Sequence, residues 1–237
     1  MRWLTFLLVL CTALPLSAKS QISSDLISPP PGATIPIFLN KTLKAGNPAA
    51  GQTITAPLMQ RVPVSSTAYL SDRAEIVGHV VSAGPNELSI QFTELRWKGH
   101  TVPVRVKLMA AASSQSTYDT RLPLGATDRG TSDVADWTTR QIGGDEVYLS
   151  AGSGKVYNRV SEPVGHADFS GVYADPSPVY ALPRAVGPFS TTATGLHGLP
   201  DFSIKSDGAD GGPITLAANN PRWKIDGGGA MLLEVVK

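Results

Sequence analysis

The stretch from Ala74 to Leu108 constrains this chain more than any other. Leu88, Ile90 and Phe92 alternate with Ser89, Gln91 and Thr93, and Val102, Val104, Val106 and Leu108 alternate with Pro103, Arg105 and Lys107. A period of two sorts these residues onto the two faces of a strand, whereas a helix would scatter both sets around its circumference. The β-branched content favours the same choice. A further strand at 74–81 is expected to turn Ile76 and Val80 inward. Ser82 to Glu87 reads as one turn and Lys98-Gly99 as another, so 74–108 is expected to be a three-stranded meander.

Similar phrases flank it. Ile35, Ile37 and Leu39 lie in phase, with Pro36 marking an edge or a strand start because it lacks an N–H. Ile54, Ala56 and Leu58 repeat the device. Near the end, Ile214–Leu216, Trp223–Ile225 and Ala230–Val236 read as strands, the last with Met231, Leu233 and Val235 on one face and expected to pair back into the main sheet. The chain's 23 glycines and 19 prolines are spread unevenly, their excess lying mainly in the lead-in and in the middle segment between these phrases. Residues 110–212 are therefore read as a loop-rich insertion, with short strands at Val147–Leu149 and Phe202–Ile204. One short helix is expected at Ser132–Gln141, capped by Ser132 and stopped by Gly143-Gly144. The expected fold class is all-β: an antiparallel barrel or sandwich with at most one or two short helices. Residues 34–237 form one domain after a Pro-rich lead-in at 19–33.

The first eighteen residues are of a different kind. Arg2 precedes an apolar run from Trp3 to Leu14, and Pro15 to Ala18 offers a break and a small residue, the order of a secretory signal peptide. The run is too short for an ordinary span of about 20 residues, and no other apolar stretch is long enough for a transmembrane helix. Removing 1–18 takes away Arg2, the only charge there, and Cys11, the only thiol, so the +1 net charge becomes zero. The expected location is exported: periplasm, cell envelope or secreted. Zero net charge argues against nucleic acid as a partner; protein or envelope components are expected instead.

No motif announces a catalytic centre or a cofactor. Gly152-Ser153-Gly154-Lys155 lacks the residues of a phosphate loop, having Leu149 and Val156 where Gly and Ser/Thr belong. The histidines His79, His100, His166 and His197 show no metal-ligand spacing, although His166 and Asp168 can share one side of a strand. Asp207-Gly208-Ala209-Asp210 has the oxygen donors of a calcium turn, against the simpler reading of a plain turn. Trp97, Lys98, Arg105 and Lys107 form a basic-aromatic cluster able to contact glycan or anionic lipid, against the simpler reading of a solvated hairpin face. Tyr148, Tyr157, Tyr173, Tyr180, Trp137 and Trp223 can stack on sugars if exposed, although packing is the commoner fate of such rings.

The order of phrases Pro31–Leu39, Gly51–Ala56, Ala74–Val80 and Leu88–Val104, with Gly99 in the turn, resembles the C-terminal β-barrel domain of type IV secretion channel scaffolds, the TrbI-like family, and similar small exported bacterial proteins. The resemblance covers roughly residues 31–108. It implies a barrel-like fold and an envelope location. That family inserts an apolar helical pair, and 110–212 holds no such pair, so channel membership is not implied. The expected function is a structural or binding role in which an open sheet edge, near Pro36 or at the last strand, pairs with a partner. Two other classes compete: a secreted hydrolase, requiring His166 or His197 to meet an acid and a serine in a cleft, and a calcium-stabilised surface module.

Overall fold

A computed structural model describes residues 28–122, 137–150 and 153–237. The proposed signal peptide lies outside the described residues, as does most of the lead-in. The N-terminal half contains β1 (Thr34–Phe38), β2 (Leu43–Lys44), β3 (Thr53–Pro57), β4 (Val62–Pro63), β5 (Tyr69–Leu70), β6 (Glu75–Gly84), β7 (Glu87–Trp97), β8 (His100–Pro103) and β9 (Val106–Ala112). A single-turn helix α1 (Ser114–Asp119) follows, capped by the Ser113 hydroxyl, which accepts from the Ser116 N–H. The middle holds β10 (Trp137–Arg140), β11 (Glu146–Ser150), β12 (Ser153–Tyr157), β13 (Pro163–Asp168), β14 (Gly171–Ala174) and β15 (Arg184–Ala185). The chain ends with β16 (Gly195–His197), β17 (Phe202–Ser206), β18 (Ile214–Ala218), β19 (Lys224–Ile225) and β20 (Ala230–Val235).

The fold is all-β. Its three larger sheets have the orders β1-β20-β9-β16, β17-β18-β7-β6-β3 and β10-β11-β12-β13-β14-β15, and none closes into a barrel. The expected hairpin of 74–97 is present, but its turn shrinks to Pro85-Asn86, because Ser82, Ala83 and Gly84 stay paired with Ser89, Leu88 and Glu87. The third strand of the expected meander breaks in two. β8 pairs with β7, whereas β9 leaves that sheet and pairs with β20. Val104 still donates to Thr93 at 2.9 Å, so the chain crosses between sheets at Val104-Arg105. Its inward residues keep facing one shared core.

That core joins Ile35, Ile37, Leu108 and Leu233 of the first sheet to Ile76, Leu88, Ile90 and Phe92 of the second, with Trp223 fully buried among them. Trp223 donates its indole N–H to Gly84 at 2.9 Å and meets Phe202 edge to face. The final strand does pair back, between β1 and β9. Its other face is buried too: Ala230 and Leu232 pack with Ala110, Ala112, Ile142 and Phe189. Ala110–Ala112, read as the start of the insertion, therefore continue β9.

The insertion departs most from expectation. Residues 137–185 build the six-stranded antiparallel sheet, and Trp137–Arg140 is its first strand where a helix was expected; the remainder of that expected helix lies outside the described residues except Gln141, which follows the strand. The alternation that builds this sheet is carried on its inner side by small residues. A Cβ at Gly154 or Gly165 would collide with the carbonyl oxygens of Tyr148 and Tyr173, so glycine occupies strand positions where a larger apolar residue would have marked the pattern.

Candidate functional site

The edges of these sheets decide where a partner strand could add. β1 ends its sheet, yet its flank is covered: Pro36 accepts from Met59 N–H at 2.9 Å, Ile37 bridges Leu58, and the Thr34 hydroxyl donates to Ala185 at 2.6 Å. The last strand lies inside its sheet. Both edges expected to be open are therefore closed: residues 57–60 and 185–187 fill the space beside β1, and β20 is paired on both sides, with β1 and β9.

β3 is different. It ends its sheet and pairs only with β6. Val80 donates to Gln52 at 2.9 Å and Leu58 to Ala74 at 3.0 Å, so the even-numbered residues face β6. By the alternation of an antiparallel ladder, Thr53 and Thr55 aim their N–H and C=O groups the other way. They open on a groove of about 310 Å³ whose far wall is the segment Leu39–Leu43, with Asn47 and Pro48 at one end. Apart from β1, the other end strands of the three larger sheets carry ionisable side chains that discourage pairing: Lys205 on β17, Arg140 on β10, Arg184 on β15 and His197 on β16. β3, with the sequence Thr-Ile-Thr-Ala-Pro, carries none.

A second feature lies on the outer face of the 137–185 sheet. Tyr148, Lys155, His166 and Tyr173 are directly opposite one another on four adjacent strands, and residues so paired share a face. The row runs from water into the interior. Tyr148 is half exposed, whereas Tyr173 is buried, stacked on His166 at 5.3 Å, and donates its hydroxyl to Arg61 at 3.1 Å. Burial raises the Tyr173 pKa to about 12. In the neighbouring row Glu146 accepts from Arg140 at 2.6 Å and from the Tyr148 hydroxyl at 3.0 Å, and these bonds hold its pKa below the usual carboxylate value.

The expected basic-aromatic cluster does not assemble. Trp97 and Lys98 stay together at the β7–β8 tip, the ammonium 4.5 Å from the ring centroid. Arg105 instead donates to the main-chain oxygen of Lys237 at 2.6 Å and to the Asp210 carbonyl, and Lys107 pairs with Glu234 at 3.1 Å. The alternation that drew these residues together in sequence is broken by the crossing at Val104-Arg105. The same Arg105 governs the turn at Asp207 and Asp210, where its guanidinium takes a carbonyl that a cation would use. Asp207 accepts from Ala209 N–H at 3.0 Å, and no cluster of three metal-ligating side chains exists among the described residues.

His166 meets Asp175 at 3.4 Å rather than Asp168, which accepts from Ser170 N–H at 2.7 Å. His197 faces the Thr194 carbonyl at 3.1 Å. Among the described residues no serine hydroxyl bonds to either ring, so the arrangement a serine hydrolase requires is not formed there. Gly152 of the glycine-rich turn lies outside the described residues. Among the described residues, no helix is long and apolar enough to cross a membrane.

Sequence reasoning missed β3 as the open edge. The signal was present in its lack of charge, but telling an edge from an interior strand requires knowing which strands pair. Comparisons with family models, with curated proteins and with solved structures return no match for this chain.

Proposed function

We propose that this chain is an exported, β-rich envelope protein that binds a short extended peptide by strand addition along β3. The observation that carries the reading is the uncharged, singly paired edge at Thr53 and Thr55, opening on the groove walled by Leu39–Leu43. Main-chain groups there supply affinity without demanding a particular sequence, and pockets for alternate side chains supply selectivity. Export rests on the apolar leader of residues 1–18, and an envelope setting on the TrbI-like phrases, which fall on β1, β3, β6, β7 and β8.

The test is a selection of displayed peptides on the full chain, followed by amide hydrogen exchange. Selected peptides should slow exchange at Thr53 and Thr55, and Thr55→Pro should abolish capture. Peptides that bind while leaving these amides unprotected would refute strand addition. Location is tested separately by fractionation with N-terminal sequencing. A chain beginning near residue 19 outside the cytoplasm supports export, and one beginning at Met1 inside it overturns export.

A further inference from the structure

We infer that the outer face of the 137–185 sheet binds an acidic saccharide chain in the open groove beside Tyr148, Tyr157 and Lys155. The groove holds about 530 Å³. Its two rings stand at 87° with centroids 5.4 Å apart, and the Tyr148 hydroxyl is tied to Glu146. The rings are thus preset flat surfaces, and little side-chain entropy is lost when a ligand settles on them.

Three considerations select the ligand. The backbone of β11, β12 and β13 is already consumed in the ladder, so a ligand here meets side chains only, which disfavours an extended peptide. The hydroxyls of Ser150, Ser153 and Ser161 line the same groove and make no hydrogen bond within the described residues. Each can donate and accept, as a polyhydroxylated ring requires, while the tyrosine rings cover that ring's C–H face. Charge then decides between neutral and acidic sugars. The charge of Glu146 is paired with that of Arg140, and His166 is engaged by Asp175. Lys155, exposed between them, has no ion-pair partner among the described residues and offers one uncompensated positive charge to a carboxylate. A single lysine is too little for a nucleic-acid backbone.

This site is separate from the β3 groove, and neither test touches the other's residues. The full chain is titrated calorimetrically with an oligogalacturonate and with a neutral malto-oligosaccharide of equal length. The acidic oligomer should bind about tenfold more tightly, the difference one charge-assisted hydrogen bond supports. Lys155→Gln should reduce its affinity to the neutral level, Lys155→Arg should retain the preference, and Tyr148→Leu should weaken both ligands. Thermal melts of each variant confirm folding. Equal binding of the two oligomers, no binding of either, or unchanged binding in Lys155→Gln overturns the inference. Lysine-dependent binding to anionic phospholipid vesicles without saccharide binding overturns it as well, in favour of a lipid surface.

Discussion

Tyr173 shows how one side chain can belong to two sheets. Its ring is buried in the main core while its backbone lies in β14 of the 137–185 sheet. Burial favours the neutral phenol, so its pKa rises from 10.0 to about 12. A raised pKa means that the folded state binds the proton more tightly than the unfolded chain. The associated stability is therefore complete below pH 10 and lost as pH climbs toward 12, on the order of 2 kcal/mol in all. Tyr173→Phe should abolish that alkaline loss, seen as a flatter denaturant midpoint between pH 10 and 12. At neutral pH it should cost about 1 kcal/mol, because the Arg61 carbonyl loses its donor. Gly78 poses a different constraint. Any Cβ there would press on the Gln91 carbonyl and the Phe92 Cα, and backbone cannot rotate out of the way. Gly78→Ala should destabilise by about 3 kcal/mol, measured by urea unfolding. An effect under about 0.5 kcal/mol would show that β6 and β7 can separate locally without loss.

At the scale of elements, legibility follows which side chains line the inner face of each strand. Leu88–Phe92 and Val102–Leu108 are readable because aliphatic and aromatic residues mark every inward position, and all are buried. β12 and β13 were hidden because Gly154 and Gly165 stand where the pattern needed a marker. The alternation places Ser89 on the polar face opposite Leu88 and Ile90, yet it is buried, its hydroxyl 2.9 Å from that of Thr215, since β18 covers that flank of β7. No period within 88–93 could reveal a neighbour that lies over a hundred positions away. Gln60 shows the same limit for polar residues. Its amide donates to Val172 at 2.8 Å and accepts from Val172 at 3.1 Å and Gly187 at 3.0 Å, acting as a short artificial strand that joins the insertion to the core. Gln60→Ala would strand three backbone groups and should cost about 3 kcal/mol, read by chemical denaturation. The turn at Asp207 and Asp210 gives the opposite expectation. With Arg105 already bonded there, its melting temperature should be the same in calcium and in chelator, and a calcium-dependent rise would return that turn to the list of metal sites.

Across the whole molecule, the question is whether a sheet inserted into another fold melts by itself. Its own apolar cluster is small: Val147, Val156 and Ala167, with a few partly buried neighbours. A sheet with so little interior cannot offset the entropy of ordering its residues. It borrows burial instead. Tyr173 and Ala185 enter the main core, Phe189 and Ile142 cover the back of β9 and β20, and Thr34 and Gln60 bond across the junction. Removing the 137–193 segment from its place would also uncover Ala110, Ala230 and Leu232, so neither part is complete without the other. Calorimetry should therefore record one transition with a calorimetric to van't Hoff enthalpy ratio of about 1. Two resolved transitions would show that the inserted sheet holds itself together. In that case the Gln60→Ala loss should appear only in the transition of the inserted sheet; under the single-unit view it lowers the one shared midpoint. The outcome also bears on the two binding surfaces, since a ligand on the Tyr148 face can stabilise the β3 edge only if both sheets unfold together.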